Sequence, residues 1–260
     1  MRSFHILRPR RWWVALLPVL ILAACRTDEP IPPGGDTTSN MGTLRIHVGP
    51  MWEGAPFAPF IEYLAPHDYR FQVEFLRMYL SEIRLVDGDG ETSVDPVRLL
   101  DLDNGSFNMD LKVPPGTWYG VRAGLGLPPE LNHTDPSLYP NEHPLSVNTG
   151  MSWNWANGYK FVLFDGRYNP DPLSTTALLS PFSVHTGMDT CYKEVDLFPA
   201  LPFTTTANTI TDLTLRIDVD GFLQSGPDTI DVALENQSHG GNLPLALKLT
   251  RNVANSLHMQ

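Results

Sequence analysis

The sequence predicts an all-β fold, an antiparallel β-sandwich of the immunoglobulin-like or Greek-key type with long loops and one short C-terminal helix. Three observations predict it. Apolar and polar residues alternate with period two in "TLRIHVG", where Leu44, Ile46 and Val48 interleave with Arg45, His47 and Gly49. Turn clusters recur at short, regular intervals, as in sandwiches and barrels. Helical patterning is confined to the C-terminal end.

Taken in order, the elements justify that class. "RFQVEFLRMYLSEIRLV" is a long strand whose later half alternates imperfectly at Leu80, Ile83 and Leu85. It stops at "DGDG", a strong hairpin signal. "DGDGE" and "DLDNGS" resemble fragments of calcium loops, but neither has the full ligand spacing, and hairpin turns account for them. "LKVPPGTWYGVRAGLGL" predicts strand, turn and strand. "GYKFVLFDG", "FSVHTG", "CYKEVDLF", "DLTLRIDVDGFL" and "TIDVAL" predict further strands. "LPLALKLTRNVANSLH" predicts the helix, with Leu247, Leu249, Val253 and Leu257 on one face and a proline acceptable near its start.

The N-terminus predicts export. Arg2, Arg8, Arg10 and Arg11 precede an apolar run from Trp12 to Cys25 that is short for a membrane span. Its end, "LAAC", resembles the lipobox of bacterial lipoproteins. That resemblance implies a signal peptide over residues 1–24 and acyl chains on Cys25, which tether a protein to a membrane without spanning it. The next stretch, "RTDEPIPPGGDTTSN", has little to bury, so residues 25–41 are expected to be the lipidated Cys and a flexible linker. Residues 42–260 form the expected domain. The expected location is that of an exported lipoprotein, periplasmic or anchored to the outer membrane.

Charge narrows the partners. The chain has 18 basic and 29 acidic residues, and removing the four arginines of residues 1–24 leaves 14 against 29, a net of −15. This excess argues against nucleic acid and anionic lipid surfaces as ligands. With Cys25 lipidated, Cys191 has no disulfide partner and is expected to be a small buried residue in a strand. The sequence shows no nucleophile elbow, zinc-protease, P-loop or haem-attachment motif. It is therefore read as a binding protein rather than an enzyme.

The longer segments carry a family resemblance. "EGAPF", "FLRMYLSEIRLVDGDG", "VRLLDLDNGS", "VPPGTWYGVRAGLGLPPELN", "GMSWNWANGYKFVLFDG", "FSVHTG", "DLTLRIDVDGFL" and "SHGGNLPLALKLTRNV" occur in this order. Together they resemble the MbnP-like family of copper-binding proteins. The resemblance implies a β-sandwich, export and a copper ion held partly by histidines. It also implies a partner, a di-haem c-type enzyme resembling bacterial cytochrome peroxidases, that oxidises a tryptophan to kynurenine in relatives.

Candidate site residues follow from these motifs. His185 in "FSVHTG" matches the family's histidine, and imidazole suits copper. His239 precedes two glycines that would aim its ring; it reads equally as a ligand or as a loop histidine. The resemblance implies a third histidine in the first strand, but Pro50 holds that position. His47 and Met51 are the nearest candidates, and either substitutes only if the strand shifts or bulges. Alternatively the site is incomplete and the chain binds copper weakly or not at all, in which case the fold is expected to serve as a non-metal surface interaction module. In "GMSWNWANGYKF", Trp153 and Trp155 read either as plugs of the sandwich end or, with Trp52, as a redox relay or oxidation target.

Overall fold

The structure, a computed structural model, describes residues 40–153 and 158–260. The export signal, Cys25, nearly all of the linker and Trp155 lie outside the described residues. Among those described, strands dominate: β1 (Gly42–Trp52), β2 (Arg70–Val86), β3 (Glu91–Asp101), β4 (Phe107–Val113), β5 (Gly120–Leu125), β6 (Lys160–Asn169), β7 (Ser180–Gly187), β8 (Lys193–Leu197), β9 (Ile210–Asp218), β10 (Gln237–His239) and β11 (Leu257–Met259). One longer helix, α1 (Leu243–Asn255), lies between β10 and β11.

The strands form two main sheets. In the first, β1 is flanked by β9 on one side and β4 on the other, and β11 extends β9. The second runs β8-β5-β2-β6-β7-β10, with β3 also on β2. The pairs are mostly antiparallel, as expected. Two are parallel, β1 with β9 and β7 with β10.

One core joins the sheets. Leu44, Ile46 and Val48 of β1 share a buried cluster with Phe71, Val73 and Leu76 of β2. The broken alternation of β2 has a structural cause. Its core-facing residues are Phe71 and Val73, then Leu76, Met78 and Leu80, then Ile83 and Leu85. The phase changes twice, and register shifts lie at Val73/Phe75 and between Ser81 and Arg84. Each bulge inserts a residue and swaps the faces. Glu82, with φ 47°, is the residue that turns at the second.

The "DGDG" hairpin forms as predicted. Asp87 Oδ1 accepts from the backbone N–H groups of Asp89 and Gly90, so this carboxylate is committed to the turn. Helix α1 is capped at its N-terminus by Asn242, whose side chain accepts from Leu245 N. It ends at Asn255, earlier than predicted, and Leu257 joins a strand.

Two further expectations are corrected. Cys191 is buried, but in a 3₁₀ turn (Asp189–Cys191) before β8, where the N–H of Cys191 donates to Met188 O. "TIDVAL" is mostly a turn. Asp231 Oδ1 accepts from Ala233 N, and its carbonyl accepts from Leu234 N and Glu235 N, which diverts the backbone from pairing. Ile230 and Val232 still reach the core.

Candidate metal centre

The site forms where β6, β7 and β10 run side by side. Period two puts Ser183 and His185 on one face of β7, with Phe182 and Val184 on the core face. Asp165 of β6 stands directly opposite Ser183. The short parallel strand β10 places His239 beside His185 and Gln237 beside Ser183. Five polar side chains from three strands thus share one patch on the non-core face.

The two imidazoles stack, with centroids 4.8 Å apart and planes at 26°. Their Nε2 atoms turn toward Ser183 and Asp165. His185 Nε2 lies 2.8 Å from Asp165 Oδ1, and His239 Nε2 lies 2.7 Å from Ser183 Oγ. Ser183 Oγ donates to Asp165 Oδ1 at 2.7 Å. His185 is buried, and its Nδ1 has no hydrogen-bond partner among the described residues. Burial above all, then the neighbouring His185, pushes the His239 imidazole below its ordinary value, against the pull of Asp165.

Trp153 covers the pair. Its ring lies 5.6 Å from His185 and 6.4 Å from His239, centroid to centroid. Lys160 Nζ sits 5.6 Å over the same ring and donates to Gly150 O. Burial lowers the Lys160 ammonium from its ordinary value. Gly187 ends β7 where a Cβ would stand 2.7 Å from Tyr159 O and 3.2 Å from Trp153 Nε1. The glycine of "FSVHTG" therefore makes room for the indole.

The structure brings His185, His239 and Trp153 together and leaves the other described candidates, His47, Met51 and Trp52, elsewhere. His47 lies on the outward face of β1, in the other sheet, and its nitrogens bond Asn108 Oδ1 and Asp212 Oδ1, each at 2.8 Å. Nor does it take the place of Pro50. Three residues of extended strand put the two on opposite faces, and β1 pairs with β9 without a shift from Thr43 to Met51. Met51 shares the outward face with His47. Pro50 itself is buried at the junction where β4 ends and Ala55–Pro56 begins to pair. Proline suits such a gap because no ladder donor is needed there. Trp52 is a core residue stacked on Tyr63 and Phe71. Among the described residues, no three His, Cys, Asp or Glu side chains form a ready metal site.

Sequence reasoning missed Asp165 and Ser183. Ser183 stands two residues before His185, so period two alone gives it the same face. Asp165 becomes visible only through the β6–β7 register.

Comparison with known proteins decides the family. A family model described as MbnP matches residues 41–241. The chain belongs to the MbnP family. At the level of the family this is a copper-associated, methanobactin-related protein. A solved structure, MbnP from Methylosinus trichosporium, is similar at 16% identity and a TM-score of 0.48, over 74% of this chain and 80% of that one. No curated protein matches.

Proposed function

We propose that this MbnP-family chain is a lipid-anchored, exported copper-binding protein that stores, acquires or delivers the ion, with His185 and His239 as its ligands. The observation that carries the reading is the stacked imidazole pair with a buried Nδ1 on His185 that has no partner among the described residues. A buried nitrogen without a partner is costly unless something else engages it. The donors fit copper, which imidazole suits in either oxidation state. When bound, copper supplies a transferable cation capable of one-electron chemistry. The chain's own groups do the rest: two imidazoles donate, Asp165 and Ser183 orient them, and Trp153 shields them from water.

The tether is the lipid on Cys25. The proposed partner is a di-haem c-type peroxidase-like protein. Of the described candidate tryptophans, Trp153 is the proposed oxidation target, because it lies against both imidazoles, whereas Trp52 is stacked in the core.

Titration of the full chain in detergent with Cu(I) and Cu(II) against a competing chelator tests the function. Tight one-to-one binding, lost in both His185→Ala and His239→Ala, is the expected result. Absence of tight binding would overturn it and favour a non-metal interaction module. Labelled palmitate incorporation that disappears in Cys25→Ser tests the anchor.

A further inference from the structure

The donor and acceptor capacities of the four side chains constrain the proton positions around the imidazole pair. As a carboxylate, Asp165 would only accept. Ser183 has one hydroxyl proton and donates it to Asp165 Oδ1 at 2.7 Å. Its oxygen can then only accept from His239 Nε2, 2.7 Å away. His185 Nε2 faces Asp165 Oδ1 at 2.8 Å and the same serine oxygen at 3.3 Å, both acceptors. With Asp165 as a carboxylate, both Nε2 atoms face acceptors, which favours hydrogen on Nε2 in each ring. The other edge of each ring agrees. His185 Nδ1 has no partner among the described residues, and a hydrogen there would be a buried, unsatisfied donor. His239 Nδ1 accepts a long contact from Gln237 Nε2 at 3.3 Å.

We propose that Asp165 and Ser183 are positioning residues that lock His185 and His239 as Nε2–H tautomers, leaving as metal donors the open Nδ1 of His185 and, once the exposed Gln237 side chain swings away, the Nδ1 of His239. The inference rests on the copper-binding reading for its purpose, but not for its geometry. A carboxylate on the far nitrogen fixes ring orientation and raises the basicity of the donating one. Here a single carboxylate serves two rings, directly for His185 and through the Ser183 hydroxyl for His239. The arrangement is preformed on three hydrogen-bonded strands, so the metal-free protein already holds it.

The test reads tautomers first and metal second. Long-range proton–nitrogen NMR correlations of the metal-free full chain, recorded at about pH 8 where unperturbed imidazoles are neutral, distinguish Nε2–H from Nδ1–H. The expected spectrum shows Nε2–H at His185 and His239. Asp165→Ala should release His185 into a tautomer mixture and weaken copper binding about 10- to 100-fold. Asp165→Asn keeps an accepting oxygen and should restore the tautomer with most of the affinity. Ser183→Ala should free the His239 tautomer and leave that of His185, and it keeps the test alive if Asp165→Ala does not fold. An Nδ1–H tautomer at His185 in the unaltered protein would overturn the proposal. So would unchanged tautomers in both Asp165→Ala and Ser183→Ala. Failure of the unaltered chain to bind copper, with the tautomers as described, would sink the functional reading alone.

Discussion

The outward faces of the two sheets treat their histidines in opposite ways. On the first sheet, His47 is half exposed and both its nitrogens face oxygen acceptors. Its neighbours are solvated cross-strand pairs, Arg45 with Asp110 and Lys112 with Thr43. On the second sheet, part of the outward face is covered by a second apolar cluster that includes Tyr79, Tyr159, Phe161, Leu163 and Ala246. Tyr79 and Tyr159 donate their hydroxyls to the carbonyls of Pro144 and Leu145, so the covering loop is tied down at two points. His185 lies on this side, buried and with one nitrogen unpartnered among the described residues. The contrast teaches that strand position does not make a histidine a ligand candidate. Covering the face removes water, and water would otherwise satisfy the second nitrogen.

The largest expected effect attacks the cover. Phe161 is fully buried beneath it, and its ring fills the space beside Gly126, whose φ of +99° suits glycine. Phe161→Ala should cost about 3–5 kcal/mol by the usual aromatic-to-alanine penalty, measured by denaturant unfolding. If the protein lost less than about 1 kcal/mol, the covered face would be a loose lid. Copper affinity gives the same contrast: His185→Ala should weaken binding at least 100-fold, beyond the range expected for a residue that only positions a ligand. His47→Ala should leave it unchanged. Equal losses in the two variants would erase the distinction between the faces.

Sequence patterning made the first face and the core legible, because alternation in "TLRIHVG" directly assigns faces. It also carried a hidden message in "LSEIRLV", where imperfect alternation marked a bulge and not a weak strand. His185 and His239 were legible as motif residues. Their pairing was not, since it depends on a three-residue parallel strand joined through a distant register. Asp165 was invisible for the same reason: "GYKFVLFDG" predicts its strand, but only the register with β7 sets it opposite Ser183. The suggestion that His47 could replace Pro50 failed on parity, which a strand without a bulge enforces.

Intermediate effects sharpen the contrast at the edge of the cover. Gly187→Ala places a methyl 2.7 Å from Tyr159 O, a backbone atom that cannot swing away. Overpacking of this kind should cost about 1–3 kcal/mol and shift Trp153 fluorescence by moving the indole. A stable variant with unaltered fluorescence would show that Trp153 is not seated against Gly187. Cys191 reports on the same layer. Burial pushes its thiol up from the ordinary value, so at pH 8 it stays protonated and shielded. A thiol reagent should label it only as fast as the protein opens, and prompt labelling of the native protein would contradict a closed cover.

The smallest effect belongs to the solvated face. Arg45 and Asp110 stand directly opposite on β1 and β4 and make two parallel bonds of 2.8 Å. Hydrogen bonding to Arg45, more than charge alone, holds the Asp110 carboxyl below its ordinary value. A depressed carboxyl contributes stability that is present above its unfolded pKa, near 3.8, and is lost as pH falls through the folded one. Arg45→Ala should therefore lower the unfolding midpoint slightly at neutral pH and flatten the acid limb below about pH 4. Exposure to water and salt keeps the effect small, and added salt should shrink it further. A large, salt-insensitive loss would mean that this face is covered as well, and His47 would then lie in the same kind of setting as His185.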